Sequence, residues 1–185
     1  MRITPVSDIP EILVIEPDIH ADSRGYFLEL HHDVRYRTAI PERFVQDNAS
    51  RSVHGVIRGL HYQTGTPQGK LVTVLDGEIL DVAVDIRRGS PTFGRHADIV
   101  LSGETCRQLY IPPGFAHGFY VTGPHALVLY KCTELYDPSS ERGIRWDDPT
   151  LAIGWPSGAP IVSDRDRKLP TLESIGPDNL PRYSR

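Results

Sequence analysis

The sequence predicts an all-β protein that closes as a sandwich or a barrel. Glycine and proline number 16 each among the 185 residues, and such frequent chain-breaking residues leave little room for long helices. Between them lie many short segments rich in valine, isoleucine, leucine and aromatic residues, which are typical of strands. A set of short strands removes its exposed edges by closing on itself. The length is typical of one domain, which we expect to span residues 1–185.

In the first third of the chain, apolar residues recur in short runs between turn residues. Three such runs predict strands at 11–15, 26–30 and 45–49. Helical patterning is poor, and a short turn at 34–38 is the one helical segment expected here.

The clearest local pattern lies in the middle of the chain. The apolar run 71–75 is followed by Asp76-Gly77 and then by strict alternation, with Leu80, Val82, Val84 and Ile86 at every second position. Two strands joined by Asp-Gly are typical of a β-hairpin with a type I′ turn. The sequence therefore predicts a chain reversal at Asp76-Gly77.

Further apolar runs predict strands at 97–101, 108–111, 118–121 and 126–133. From Asp148 onward, frequent prolines predict irregular chain that covers the barrel, with Trp155 as its anchor and a helical turn near 172–175.

Charge and composition exclude several classes of protein. Twenty basic residues against 24 acidic ones give a net charge of -4, which leaves no basic surface for binding nucleic acid. No apolar run approaches the ~20 residues that a membrane span needs, and the first residues lack a signal-peptide core, so we expect a cytoplasmic protein. Cys106 and Cys132 show no metal or redox spacing, which indicates packing roles in a reducing compartment.

Two of the eight histidines lie in site-like settings. Arg58 and His61 would face opposite sides of a regular strand, but Gly59 between them can kink the strand and present both. His117 follows the turn Pro112-Pro113-Gly114, which can fix a side chain at a barrel mouth. Each histidine alone is equally well read as a hydrogen-bonded structural residue.

The sequence predicts no metal site. Small β-barrels that hold a metal commonly supply a His-x-His pair, whereas here the stretch reads Leu60-His61-Tyr62-Gln63. The adjacent His31 and His32 cannot replace that pair, because neighbouring strand residues point to opposite faces. We therefore expect no cofactor.

Four basic residues, Arg24, Arg58, Lys70 and Lys168, are candidates for binding a phosphate-bearing ligand. No glycine-rich nucleotide loop is present, so side chains would have to bind the phosphate. Taken singly, each is better read as a solvated surface charge.

Seven ordered segments are spread along nearly the whole chain: 22–27 (DSRGYF), 46–50 (QDNAS), 58–61 (RGLH), 68–70 (QGK), 81–94 (DVAVDIRRGSPTFG), 112–119 (PPGFAHGF) and 163–166 (SDRD). Together they resemble the dTDP-4-dehydrorhamnose 3,5-epimerase family. The resemblance implies a cupin-type jelly-roll β-barrel with short peripheral helices, working as a metal-independent homodimer in nucleotide-sugar biosynthesis.

The resemblance also implies roles for individual residues. It makes His61 the general base, Asp166 its orienting partner, Tyr130 the acid on the opposite face and Lys70 the group beside the C4 carbonyl oxygen. Further ligand contacts are implied for Arg24, Phe27, Glu29, Gln46, Asn48, Arg58, His117, Tyr136, Glu141 and Lys168. Without the resemblance, Asp166 would be read as a solvated aspartate and Tyr130 as a core tyrosine.

The implied reaction is inversion at C3 and C5 of dTDP-4-dehydro-6-deoxy-D-glucose, on the route to dTDP-L-rhamnose. Histidine, lysine and tyrosine supply the base, the oxygen-stabilising donor and the acid that this chemistry needs. Three alternatives stay open: an epimerase that acts on one carbon of a related sugar, a metal-dependent barrel enzyme, and a non-catalytic barrel that binds sugar nucleotides.

Overall fold

The protein, seen in a computed structural model that describes residues 1–183, is built almost entirely of β-strands, as predicted. The strands are β1 (Arg2–Val6), β2 (Ile9–Glu16), β3 (Ile19–Asp22), β4 (Gly25–Leu28), β5 (Gln46–Val53), β6 (Ile57–Gln63), β7 (Lys70–Asp85), β8 (His96–Ser102), β9 (Gln108–Ile111), β10 (Phe115–Cys132) and β11 (Glu141–Gly143). The helical segments are α1 (Asp33–Tyr36) and three single turns of 3-10 helix, Asp166–Lys168, Leu172–Ser174 and Pro177–Asn179. None of the helical segments among residues 1–183 could span a membrane.

Two long antiparallel strands, β7 and β10, form the centre of the nine-stranded sheet and pair along most of their length. Each changes its other neighbour midway. The first part of β7 pairs with β9 and the second with β8, while the first part of β10 pairs with β6 and the second with β5. The two strands thereby bend the sheet over on itself, which gives the jelly roll that the resemblance implied. β3 and β4 form a separate two-stranded hairpin.

The predicted hairpin at Asp76-Gly77 is wrong, because β7 runs without reversal from Lys70 to Asp85. Gly77 adopts a φ of +82°, and the pairing of β7 with β10 shifts register beside it. A Cβ atom on Gly77 would lie 1.8 Å from the carbonyl oxygen of His125. The glycine is therefore needed for a bend and a close strand approach, which impose the same backbone requirement as a turn.

Most other predicted elements are confirmed with small shifts of boundary. The predicted strands at 118–121 and 126–133 are two parts of the single strand β10. The helical turns at 34–38 and 172–175 correspond to α1 and the second 3-10 helix. The irregular tail is anchored by Trp155, whose Nε1 donates a hydrogen bond to the Trp146 carbonyl at 2.7 Å and whose ring packs against the apolar core.

The alternation along the second half of β7 does not separate a buried face from an exposed one. Val84 is fully buried, and so are the carboxylates Asp81 and Asp85. Asp85 accepts hydrogen bonds from Arg87 and Ser90, so its charge is compensated inside the fold. Asp81 instead pairs with His117, which lines the cavity described next.

Candidate active site

A cavity of about 680 Å³ brings together most of the predicted site residues. Its volume falls within the range of ligand sites in proteins. Strands β5, β6, β7 and β10 and the C-terminal segment all contribute to its wall. The predicted residues that line it are Gln46, Asn48, Arg58, His61, Lys70, His117, Tyr130, Tyr136, Glu141 and Asp166.

On β5, the side chains that line the cavity follow the two-residue period of a strand. Gln46, Asn48 and Ser50 line the cavity, whereas Asp47 and Ala49 between them are exposed. The Gln46 side-chain amide donates to the Asn48 side-chain oxygen at 3.0 Å. Two amides are thus held in place before any ligand binds.

On β6, Gly59 allows both Arg58 and His61 to line the cavity, as the sequence predicts. The glycine has a φ of +110°, a conformation that other residues rarely adopt. A Cβ atom at this position would lie 2.6 Å from the carbonyl oxygen of His117. The close approach to β10 therefore also requires glycine.

His61 is hydrogen-bonded to a buried carboxylate. Its Nε2 lies 2.7 Å from Oδ1 of Asp166, which is 4% exposed. Asp166 is held in turn by the backbone N–H of Gly59, which donates to Oδ2 at 3.3 Å. Burial alone would raise the pKa of Asp166, but the hydrogen bonds with His61 and Gly59 lower it overall, so this carboxyl stays ionised. In a neutral ring this pairing puts the proton on Nε2, and Nδ1 has no partner among residues 1–183.

Lys70 and Tyr130 supply two further groups to the same cavity. Burial lowers the pKa of the Lys70 ammonium, while the neighbouring Cys132, Asp81 and Glu141 act in the opposite direction. Burial raises the pKa of the Tyr130 phenol, so this group stays protonated at neutral pH. The cavity thus presents an amine and a phenolic proton donor together with the imidazole of His61.

A second imidazole–carboxylate pair lies beside the first. His117 is directly opposite His61 in the β10–β6 pairing, and its Nε2 is 2.8 Å from Oδ2 of Asp81. Burial lowers the pKa of His117 although Asp81 opposes the shift. Sequence reasoning did not identify Asp81, whose signal was a carboxylate between the apolar residues Leu80 and Val82 of β7.

At the mouth of the cavity, Glu141 joins Tyr136 and Arg165. The Tyr136 hydroxyl donates to Glu141 at 2.7 Å, and Arg165 forms an ion pair with the same carboxylate. Lys168 does not line the cavity; it is exposed on the 3-10 helix. Arg165 lines the cavity instead, and the missed signal was its position directly before Asp166.

Three other predicted ligand contacts lie on or next to the β3–β4 hairpin, outside this cavity. Arg24 is paired with Asp22 in its own hairpin at 2.6 Å. Phe27 is 71% exposed, and Glu29 pairs with Arg35 at 3.2 Å. Within one chain, Arg24, Phe27 and Glu29 are not part of the site.

Among residues 1–183, no group of three or more histidine, cysteine, aspartate or glutamate side chains is arranged to hold a metal ion. A second depression of similar volume lies beside the C-terminal 3-10 helices and is lined mainly by apolar residues such as Leu151, Leu172 and Leu180. It contains none of the predicted site residues.

The residues of the first cavity have the chemistry to move a carbon-bound proton. An oriented imidazole can remove a proton, the ammonium group of a lysine can stabilise the negative charge on a neighbouring oxygen, and a protonated phenol can return a proton. A carbon next to a ketone is the type of acid that such a set can ionise. The amides and the arginines at the mouth suit a polar, negatively charged ligand.

Comparison with known proteins gives consistent matches over most of the chain. The family model described as dTDP-4-dehydrorhamnose 3,5-epimerase matches residues 6–174. The enzyme of that name from Pseudomonas aeruginosa is 50% identical over 163 residues, covering 86% of this chain and 90% of the relative. One from Neisseria gonorrhoeae is 50% identical over 160 residues, and the match covers 85% of this chain but only 49% of that longer protein.

Solved structures agree with these matches. The dTDP-6-deoxy-D-glucose-3,5-epimerase of Legionella pneumophila, in complex with dTDP-4-keto-L-rhamnose, is 51% identical with a TM-score of 0.96, covering 100% of this chain and 99% of that one. A 3'-monoepimerase from Streptomyces bikiniensis, in complex with dTDP-quinovose, is 35% identical with a TM-score of 0.90, covering 97% and 93%. The fold, the cavity and these matches together place the chain in the dTDP-4-dehydrorhamnose 3,5-epimerase family.

Proposed function

We propose that this protein inverts C3 and C5 of dTDP-4-dehydro-6-deoxy-D-glucose without a metal, giving dTDP-4-dehydro-L-rhamnose for dTDP-L-rhamnose biosynthesis. The observation that carries the proposal is the convergence of the His61–Asp166 pair, Lys70 and Tyr130 on one cavity. A protein that only bound the nucleotide sugar would need neither an oriented base nor a protonated phenol.

The proposed reaction begins when Nδ1 of His61 removes the proton from a carbon next to the ketone. Asp166 holds the ring and stabilises the imidazolium that forms. The electron pair of the broken C–H bond moves onto the C4 oxygen, where the Lys70 ammonium stabilises the enolate. Tyr130 then donates its proton to the opposite face of the carbon, which inverts the configuration.

The position of the ketone explains how one set of residues serves two carbons. The C4 carbonyl lies between C3 and C5, so a proton removed from either carbon places negative charge on the same oxygen. A single Lys70 can therefore stabilise both enolates. A 3'-monoepimerase shares this fold, so the number of carbons inverted is the property that separates the proposed function from that activity.

The residues at the mouth are proposed to bind the nucleotide. Arg58 and Arg165 suit the diphosphate, because guanidinium groups pair with phosphate oxygens in a bidentate manner. Tyr136, which is 48% exposed, offers a ring on which the thymine can stack. Gln46 and Asn48 supply polar contacts from the cavity wall.

We also propose a homodimer in which the β3–β4 hairpin of one copy completes the cavity of the other. The support is that Arg24, Phe27 and Glu29 match ligand contacts of the family but lie outside the cavity of their own chain. The exposed rings of Tyr26 and Phe27 give the hairpin an apolar surface for a second copy.

Each copy would be a single domain over residues 1–185. Two free, buried cysteines are compatible with a reducing, cytoplasmic setting.

The reaction is tested by incubation with dTDP-4-dehydro-6-deoxy-D-glucose in deuterated water, followed by proton NMR. We expect solvent deuterium at both C3 and C5, because each inversion replaces a substrate proton with one from solvent. Label at one carbon only would make the protein a single-site epimerase. Label at neither carbon would support the non-catalytic binding barrel.

The shared site is tested by mixing two inactive variants, His61→Asn and Arg24→Ala. In a mixed dimer, the chain with an intact His61 receives an intact Arg24 from its partner, so one of the two sites is complete. We expect activity to return on mixing. If each hairpin serves its own chain, the mixture will stay as inactive as its components.

A further inference from the structure

His117 lines the cavity, and Asp81, which does not line it, forms with His117 a second carboxylate–imidazole pair. The reaction proposed above does not use this pair. Asp81 is fully buried, with 0% exposure. Oδ2 lies 2.8 Å from Nε2 of His117, and Oδ1 has no hydrogen-bond partner among residues 1–183. A buried carboxylate with an unpaired oxygen is costly for the fold. Its hydrogen bond to a residue that lines the cavity offers a functional reason for keeping it.

Asp81 determines which nitrogen of His117 faces the ligand. Because the carboxylate accepts the Nε2 proton, a neutral ring carries its lone pair on Nδ1. His117 lines the cavity, and its Nδ1 has no partner in the described part of the chain. Burial and the nearby charges of Lys70 and His61 lower the pKa of His117 and favour the neutral ring. The cavity thus contains a hydrogen-bond acceptor directly across from His61.

The substrate class limits what this acceptor can bind. An acceptor can pair only with a donor, and the ketone oxygen and ring oxygen of a 4-keto-6-deoxy sugar are acceptors. Of the two carbons next to the ketone, C3 carries a hydroxyl group, whereas C5 carries a methyl group and the ring oxygen. A hydroxyl donor close to the reacting centre is therefore available at C3 and not at C5.

We propose that Asp81, acting through His117, is a positioning residue for C3: the C3 hydroxyl donates to Nδ1 of His117, and this bond holds the C3 proton against His61. Proton removal at C5 does not use the bond. This inference rests on the proposed function, because it assumes a substrate with a ketone between C3 and C5. It assigns to one pair of residues a role in choosing between the two carbons.

The test compares the initial rates of deuterium incorporation at C3 and C5 in the same sample. Asp81→Leu keeps the side-chain volume and removes the acceptor that fixes the His117 ring. We expect the C3 rate to fall about tenfold relative to the C5 rate, as for the loss of one well-placed hydrogen bond. The ratio of the two rates is unaffected by an unfolded fraction, because unfolded protein contributes to neither.

Two further variants complete the experiment. His117→Phe removes the acceptor without changing Asp81, so it tests the same bond if the Leu variant does not fold, and we expect the same change of ratio. Asp166→Asn is the matched control, because it weakens the base used at both carbons and should lower both rates together. A C3-to-C5 ratio that stays at the wild-type value in folded Asp81→Leu or His117→Phe overturns the inference.

A substrate analogue that lacks the C3 hydroxyl gives an independent readout. With a 3-deoxy sugar, whose C3 has no hydroxyl group to position, we expect the ratio of C3 exchange to C5 exchange in Asp81→Leu to equal that in wild-type protein. A ratio that still falls in Asp81→Leu would mean that the loss at C3 does not pass through the hydroxyl group, and would also overturn the inference. Failure of the proposed function looks different, since wild-type protein would then exchange neither carbon of the parent sugar.

Discussion

Replacing Gly59 with alanine should damage stability and activity together, because one backbone position supports both. Gly59 has a φ of +110°, and an added Cβ would lie 2.6 Å from the His117 carbonyl oxygen and 2.8 Å from the Gly118 Cα. Neither atom belongs to a flexible side chain, so β6 and β10 would have to separate. The left-handed conformation costs an alanine about 1–2 kcal/mol, and forced overpacking costs about 1–3 kcal/mol more.

We therefore expect Gly59→Ala to lower the free energy of unfolding by about 3 kcal/mol. For a domain of this length, that corresponds to a melting temperature lower by roughly 6–12 °C. The same shift of β6 displaces His61, and a misplacement of about 1 Å in a catalytic group costs about a hundredfold in rate. Thermal unfolding at a fixed protein concentration and deuterium exchange at C3 and C5 measure the two effects.

Gly65→Ala is the matched control. Gly65 also has a positive φ, +73°, but a Cβ there would meet no atom within 4 Å. This variant isolates the backbone conformation from the crowding, so we expect a loss of only about 1–2 kcal/mol and normal activity. If the two variants melt at the same temperature, the close approach of β6 to β10 does not have the energetic role inferred from the structure.

Three other predictions follow from the site and its surroundings. Tyr130→Phe should lower the amount of inverted product by roughly 10²–10⁴-fold, while the recovered substrate still gains deuterium in deuterated water. The reason is that His61 can still form the enolate and return a proton to the face from which it came. If NMR shows unchanged inversion in this variant, another group is the acid. Activity should survive exhaustive chelation, and loss of turnover that one added metal restores would contradict the metal-free mechanism. The hydrogen bond with Asp98 raises the pKa of His96 in the folded protein. The pair should therefore stabilise the fold at pH values below the ordinary histidine pKa, where His96 is protonated. This contribution is lost as the pH rises through the pKa that His96 has in the folded protein. Urea unfolding should therefore show His96→Gln less stable than wild type by up to about 1 kcal/mol at about pH 5.5 and equal to it at about pH 8.5.

Local sequence patterns predicted most strands but could not show where the chain bends. The sequence predicts the run 108–111 with the bounds of β9, because this short run ends at the turn Pro112-Pro113-Gly114. At Gly77, the pattern of a hairpin and that of a bent strand are the same, since both place glycine at a positive φ between apolar runs. The distinction depends on β10, which lies far along the chain and pairs with both halves of β7.

The site shows the same division between local and distant information. The kink at Gly59 could be anticipated because Arg58 and His61 lie within one strand. Family resemblance pointed to Asp166 and Lys168 and not to Arg165. Which side chains of the C-terminal segment line the cavity depends on how that segment crosses it, and only the fold shows this. The local sequence pattern of the β3–β4 hairpin does not connect it with the cavity, because within one chain the hairpin does not line the cavity.

The pairing of β7 with β10 has a consequence for the order of events in folding. Lys70 meets Cys132, and Asp85 meets Phe115, so large loops must close before these contacts can form. Chains dominated by such distant pairings fold slowly compared with helical proteins of similar stability. Because Lys70 lies on one of these strands and His117 and Tyr130 on the other, the three side chains come together only after that closure. A nascent chain that has not yet made residues 115–132 can therefore have no partial form of this active site.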